Sequence, residues 1–409
     1  MKEEYISAVE EVIERELGEE FLNIIYSLRE EREKFLNNVW NSDLFDKSEL
    51  ITSVRRSIDF DLIYYNILNK VEVPKLAKIL LEIGDISLMH SEYKNSILLY
   101  ELLLEKYKSH FEEKEIADIF NKCGQAYFWV NDLEKSLSYF KNALKICRKI
   151  DDRLGIVRQV NAQAIVNIEM GKIYEGERLA QEALMLLKDL NKDDERYIRS
   201  YAGIMTNLGN VNVIRGYWDE ALNYYNESKK LISSLSDVHL TKGLLYYNLA
   251  LVHLKNQDYK IVAELLGESI SIAGKIKNKL LKALALSLKA EMLVNLGKLS
   301  EATALVMTSF AIYSQINNRP HIADVYRIMG IIKREEGDYE MSLSFLNTAE
   351  NINMEYEKYY DLAETYVEFA KLYKKMGDEE NKEKYKELAI KNYKEIFADK
   401  RIEELNKLL

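Results

Sequence analysis

The chain has 409 residues, of which only two are proline and 16 glycine, while 30% are charged and 47% apolar or aromatic. So little proline leaves few of the rigid turns and strand edges that sandwiches and barrels use, and so much apolar surface excludes a disordered chain. A formal charge of −10 argues against a nucleic-acid partner, because duplex binding needs a basic stripe that displaces counterions.

From the N-terminus, residues 3–17, 19–40 and 48–69 carry apolar residues at helical spacing, separated by Gly18 and by NSDLFDKSE. They predict a three-helix segment over 1–72. It is acidic, with 16 Asp/Glu against nine Lys/Arg in residues 1–70. The opening stretch MKEEYISAVEEVIERELG lacks the basic start and apolar run of a signal peptide, and no stretch of about 18 uncharged apolar residues occurs. The expectation is a cytoplasmic protein with no membrane partner. Cys123 and Cys147 each fall within a helix-period segment and read as reduced core thiols.

Beyond residue 72 the chain repeats. Gly84, Gly124, Ala164, Gly209, Ala250, Ala290, Gly330 and Ala370 follow at intervals of 40, 40, 45, 41, 40, 40 and 40. Seven residues after this small site stand Asn131, Gly171, Gly216, Gly297, Gly337 and Gly377, residues that tolerate the left-handed turn closing a helix. Two residues later a large apolar side chain such as Trp218 or Tyr339 opens a second helix. Small and large sites then alternate along one face, as at Ala221, Tyr225 and Ser228, so that the ridges of one helix enter the grooves of the next. Pro74 and Pro320 both lie ten residues before their small site, where a first helical position needs no N–H donor. Residues 191–197, NKDDERY, account for the one longer interval and predict a longer loop or helix extension. The charged last repeat and RIEELNKLL predict a polar end, with a capping helix over 393–409.

These columns resemble the tetratricopeptide repeat (TPR), best in NLGNVNVIRGYWDEALNYYNES around Gly209 and IMGIIKREEGDYEMSLSFLNTA around Gly330. The resemblance covers roughly residues 75–392. It implies an all-α, right-handed solenoid of about eight helix-turn-helix repeats over 73–392. The period is 40 rather than the family's usual 34 and the family's closing proline is missing, which fits its long-period members. A three-helix segment before long repeats also looks like the Rap-type proteins. That likeness implies a regulator acting on a response regulator under the control of a peptide. In that family the phosphatases orient the attacking water with a glutamine of the N-terminal helices, and residues 1–70 contain no glutamine.

Catalytic chemistry finds no footing. HExxH, GxxxxGK, GxGxxG and CxxC spacings are all missing, and the five histidines share no phase. No cofactor, metal site or enzyme activity is expected. Binding is better supported, since the TPR resemblance implies that the first helices line a concave face. Counted from the small column, Asn121, Gln125, Phe128, Trp129, Arg158, Asn161, Asn210, Tyr247 and Arg327 fall on that face. Recurrent amides suit peptide backbone, the aromatics offer contact area, and the arginines suit acidic groups. Two readings stand: a non-enzymatic scaffold binding a protein or peptide, and a Rap-like signalling regulator. Self-association through the Tyr- and Leu-rich stretch 359–373 is a further expectation.

Overall fold

A computed structural model describes residues 2–40, 71–192, 194–233 and 239–409. Among the described residues the chain forms helices and no strand. Helices α1 (Lys2–Leu17) and α2 (Glu19–Trp40) break at Gly18, where φ is +88°. The third expected N-terminal helix, over 48–69, lies outside the described residues.

Eight helix pairs follow, each with a first helix A and a second helix B. They begin with α3 (Val73–Met89) and α4 (Tyr93–Lys106), then α5 (Glu113–Trp129) and α6 (Leu133–Lys149), then α7 (Arg153–Glu169) and α8 (Ile173–Leu187). The middle pairs are α9 (Glu195–Arg215) with α10 (Trp218–Ile232) and α11 (Leu240–Lys255) with α12 (Tyr259–Lys275). The last three are α13 (Lys279–Asn295) with α14 (Leu299–Gln315), α15 (Arg319–Glu336) with α16 (Tyr339–Glu355), and α17 (Tyr359–Met376) with α18 (Glu379–Glu395). Helix α19 (Asp399–Leu408) closes the chain. The long third interval is absorbed twice, by a longer loop after Leu187 and by a 21-residue α9.

Contacts divide the chain into two compact units, Met1–Ala126 and Tyr127–Leu409. In the first, α1 packs on α2 and α3. The Tyr5 hydroxyl lies 3.1 Å from that of Ser87, and Arg15 pairs with Glu82 at 2.6 Å.

Within each repeat the small column sets how closely A and B approach. A Cβ added at Gly209 would lie 2.3 Å from the Tyr225 ring, and one added at Gly330 would lie 2.8 Å from Leu346. Tyr225 and Leu346 each stand sixteen residues after their glycine and are 1% and 0% exposed. Where that later site is Ala180 or Val306, the small site is Ala164 or Ala290 instead of glycine. At Gly209 and Gly330 the column is a slot filled by the later side chain, while Ala250 stands at the same spacing before the equally buried Leu266.

The turns obey a second regularity. All eight positions seven residues after the small site have positive φ, the non-glycine Ser91, Asn131 and Gln257 included. A further left-handed set, Asp151, Lys277, Asn317, Glu357 and Phe397, closes B helices at φ between 52° and 56°. No glycine marks it, so composition does not reveal it. Both cysteines are buried, and both prolines sit in the first turn of an A helix.

The slot makes a signed prediction. Gly209→Ala should destabilise the protein by about 1–3 kcal/mol through overpacking. Gly267→Ala, exposed in α12 with nothing within 4 Å of its Cβ, should stabilise by about 0.5–1 kcal/mol through helix propensity. Urea midpoints of the two variants against the parent read both signs.

Candidate functional site

In the second unit each A helix packs on its own B helix and also on the A helix of the next repeat, whereas the B helices make no comparable contacts with one another. The A helices thus form the inner layer of a curved array.

Side chains bridge successive A helices across that layer. Asn161 on α7 accepts at Oδ1 from Asn207 Nδ2 on α9 at 2.8 Å. Asn210 on α9 accepts at Oδ1 from Asn248 Nδ2 on α11 at 2.9 Å, and from the Tyr225 hydroxyl at 2.7 Å. That hydroxyl reaches Asn210 beside the glycine slot, so the buried B-helix ring also orients an inner-face amide. Further along, Arg327 on α15 pairs with Glu291 on α13 at 3.3 Å, and Arg334 on α15 with Glu368 on α17 at 2.5 Å. Arg401 on α19 pairs with Glu364 on α17.

The inner layer carries unlike charges held close together. Burial works against the Arg327 cation, but Glu291 and Asp324 keep its guanidinium charged. Tyr247 is pushed up by burial and then by Asp324, Glu291 and Asp361, which places it within that group. Burial, and next the Asp324 charge, hold the Asp361 carboxyl well above the usual carboxylate range. Glu364 and Glu368 go the other way. Burial would raise them, but Arg401 and Tyr393 hold the first, and Lys371 and Arg334 the second, at about 2.

The second unit also returns on itself. Asn318 Nδ2 donates to the Trp129 carbonyl at 3.1 Å, and Lys358 pairs with Glu169 at 2.9 Å, each across 189 residues. Tyr174 meets Phe397 edge-on at 4.5 Å between ring centroids. Trp218 Nε1 donates to Glu404 at 2.5 Å, Lys255 pairs with the same carboxylate at 3.0 Å, and Arg401 lies 5.2 Å over the indole. The A–B turns of three consecutive repeats thus dock on the B–A turns five repeats later, and α19 completes the seam. Helix α19 buries one face in the seam, with Arg401 and Leu405 7% and 3% exposed.

The expected site residues divide accordingly. In the first unit Asn121 is buried with its Oδ1 unpartnered, and Gln125 is exposed. In the second unit Phe128 and Trp129 are half-buried, in edge contact at 4.9 Å, and Trp129 also serves the seam and the core. Arg158 is exposed on α7. Asn161, Asn210 and Arg327 all belong to the bridges, and Tyr247 joins the charged group. Reasoning from spacing passed over Asn207, Asn248, Asp361 and Glu364. Asn248 lies one residue from a position that was considered, so a ladder of recurrent Asn was the available signal. Among the described residues no group of three or more His, Cys, Asp or Glu is placed to hold a metal ion. No described helix is long and apolar enough to cross a membrane.

No protein-family model matches the chain, and no curated protein matches it. Solved structures do. The Rap conjugation gene regulator of the plasmid pLS20, in complex with the Phr* peptide, has a TM-score of 0.61 at 20% identity, covering 85% of this chain and 96% of that one. A Rap protein complexed with competence and sporulation factor has a TM-score of 0.57 at 14% identity, over 84% and 93% of the two chains. NprR in complex with its cognate peptide NprX has a TM-score of 0.53 at 14% identity, over 82% and 99%. The fold is therefore the TPR solenoid, with the Rap-type proteins among its structural neighbours.

Two measurements test this geometry. Gly216 has φ +87°, and an added Cβ would lie 3.0 Å from Lys400 and 3.1 Å from Arg401 across the seam, while Gly337 has φ +83° with open space around it. Both alanine variants should lose roughly 1–2 kcal/mol to backbone strain, and Gly216→Ala should lose measurably more in thermal melting. The lowered carboxyls add a pH dependence. Their contribution is complete above the ordinary carboxylate pKa and is lost as pH falls towards about 2. The unfolding free energy should therefore drop over that window, and Glu364→Gln should flatten the drop by an amount on the order of 3 kcal/mol in urea titrations at each pH.

Proposed function

We propose that this is a peptide-binding TPR adaptor whose inner face receives an extended peptide. The observation carrying the reading is the state of two amides. Asn161 and Asn210 spend their Oδ1 atoms on neighbouring helices, while their Nδ2 groups have no partner among the described residues. Two donors fixed in orientation by part-buried contacts suit peptide carbonyls whatever the peptide's sequence. The structural neighbours solved with Phr*, with competence and sporulation factor and with NprX support the same reading.

A second reading makes the protein a cytoplasmic Rap-like regulator that holds a partner protein under peptide control. The helices α1 and α2 ahead of the first repeat favour it. With no glutamine in residues 1–70, such a role is sequestration of the partner rather than dephosphorylation.

Asn→Asp substitutions separate donor from acceptor. Asn161→Asp and Asn210→Asp keep an oxygen for Asn207, Tyr225 and Asn248 and remove only the free N–H donors. Peptides selected on the parent from a random displayed library should bind the double variant more weakly by about 1–3 kcal/mol, roughly tenfold or more, with the melting temperature little changed. Unchanged affinity would sink the proposal.

A further inference from the structure

The B helices α6 and α8, with the A helix α7 between them, enclose an open groove of about 420 Å³. Its floor is apolar, made by Leu144, Val160 and Leu179. Gln163 also lines it, 7% exposed and with no hydrogen-bond partner for Nε2. One rim is basic. Lys141, Lys145 and Arg148 line it from α6, a helix with five Lys/Arg and one Glu in a chain whose net charge is −10. Lys145 and Arg148 have no ion-pair partner among the described residues, while Lys141 acts on Glu175. On the other rim Arg178 is paired with Glu175 at 2.7 Å and with Glu182 at 3.1 Å, so that side carries one net negative charge and the cations free to meet a ligand all stand on α6. One turn beyond Glu182 on the same face of α8, Met185 is 64% exposed.

We infer that this groove docks an acidic amphipathic helix of a partner protein. The three cations stand at i, i+4 and i+7, a stripe about 10 Å long that a second helix matches with carboxylates at the same spacing. An apolar side chain between those carboxylates fits the floor of Leu144, Val160 and Leu179 and extends over Met185. A carboxylate or backbone carbonyl entering the groove supplies the acceptor that Gln163 lacks. The apolar floor and the overall acidity favour this occupant over a nucleic acid, whose binding would need the basic field to extend beyond one rim. The site is independent of the inner face, so its test does not depend on peptide binding there.

The probe is a synthetic helical peptide with Glu at i, i+4 and i+7 and Leu on the adjoining face, measured by fluorescence anisotropy with the full chain. The comparison is a scrambled peptide of the same composition. The register-matched peptide should bind at least tenfold more tightly than the scramble and weaken as salt rises. The double variant Lys145→Glu/Arg148→Glu, at two exposed positions, should lose at least tenfold in affinity while melting like the parent. Equal affinity for the two peptides, no binding of either, or undiminished binding by the charge-reversed protein would overturn the inference. So would a single-stranded RNA oligonucleotide that binds more tightly than the matched peptide and is lost in the same variant.

Discussion

How closely each A helix lets its B helix approach is the constraint on which the second unit depends. Glycine at 209 and 330 opens a slot that Tyr225 and Leu346 fill, and alanine at 164 and 290 stands before the smaller Ala180 and Val306. Matched slots give each repeat nearly the same geometry, so small rotations accumulate regularly instead of cancelling. The regularity reappears in the seam, where two contacts have the same separation of 189 residues. The third contact, Trp218 with Glu404, spans 186 residues and lands on α19.

Chemistry on the inner layer follows from that packing. Because A helices lie close together, their polar side chains meet and bridge, and the bridges decide which atoms remain free. Asn210 illustrates the link from core to surface. Its oxygen is held by a hydroxyl that belongs to the packed slot, so the core sets the orientation of its amide. The carboxylates nearby are similarly differentiated, with Asp361 raised by burial and Asp324, and Glu364 lowered by its cationic neighbour against the pull of burial.

Much of the fold was legible in the residue order because each repeat answers to local rules: a small residue at the slot, a left-handed closing position, a large residue after it. Those rules carry identity in their side chains. The second set of left-handed turns escaped because Asp151, Lys277 and Phe397 take that conformation without glycine. The seam escaped for a different reason. Trp129 and Asn318, or Trp218 and Glu404, have no common sequence signal, and their meeting depends on rotation summed over five repeats. The inner face was half readable. Phase put Asn161, Asn210 and Arg327 on A helices, yet phase says nothing of which partner each finds, and all three found one in the neighbouring helix.

The closing of the second unit is the claim from which the rest follows, and a distance across the seam tests it. Spin labels at Lys172 and Asp399, both exposed, flank the contact of Tyr174 with Phe397. Double electron–electron resonance on the unliganded protein should give one narrow distribution at the short end of the measurable range, broadened and lengthened by Gly216→Ala. A long distance in the parent protein, unaffected by that substitution, would mean that the repeats form an open spiral and would contradict the account.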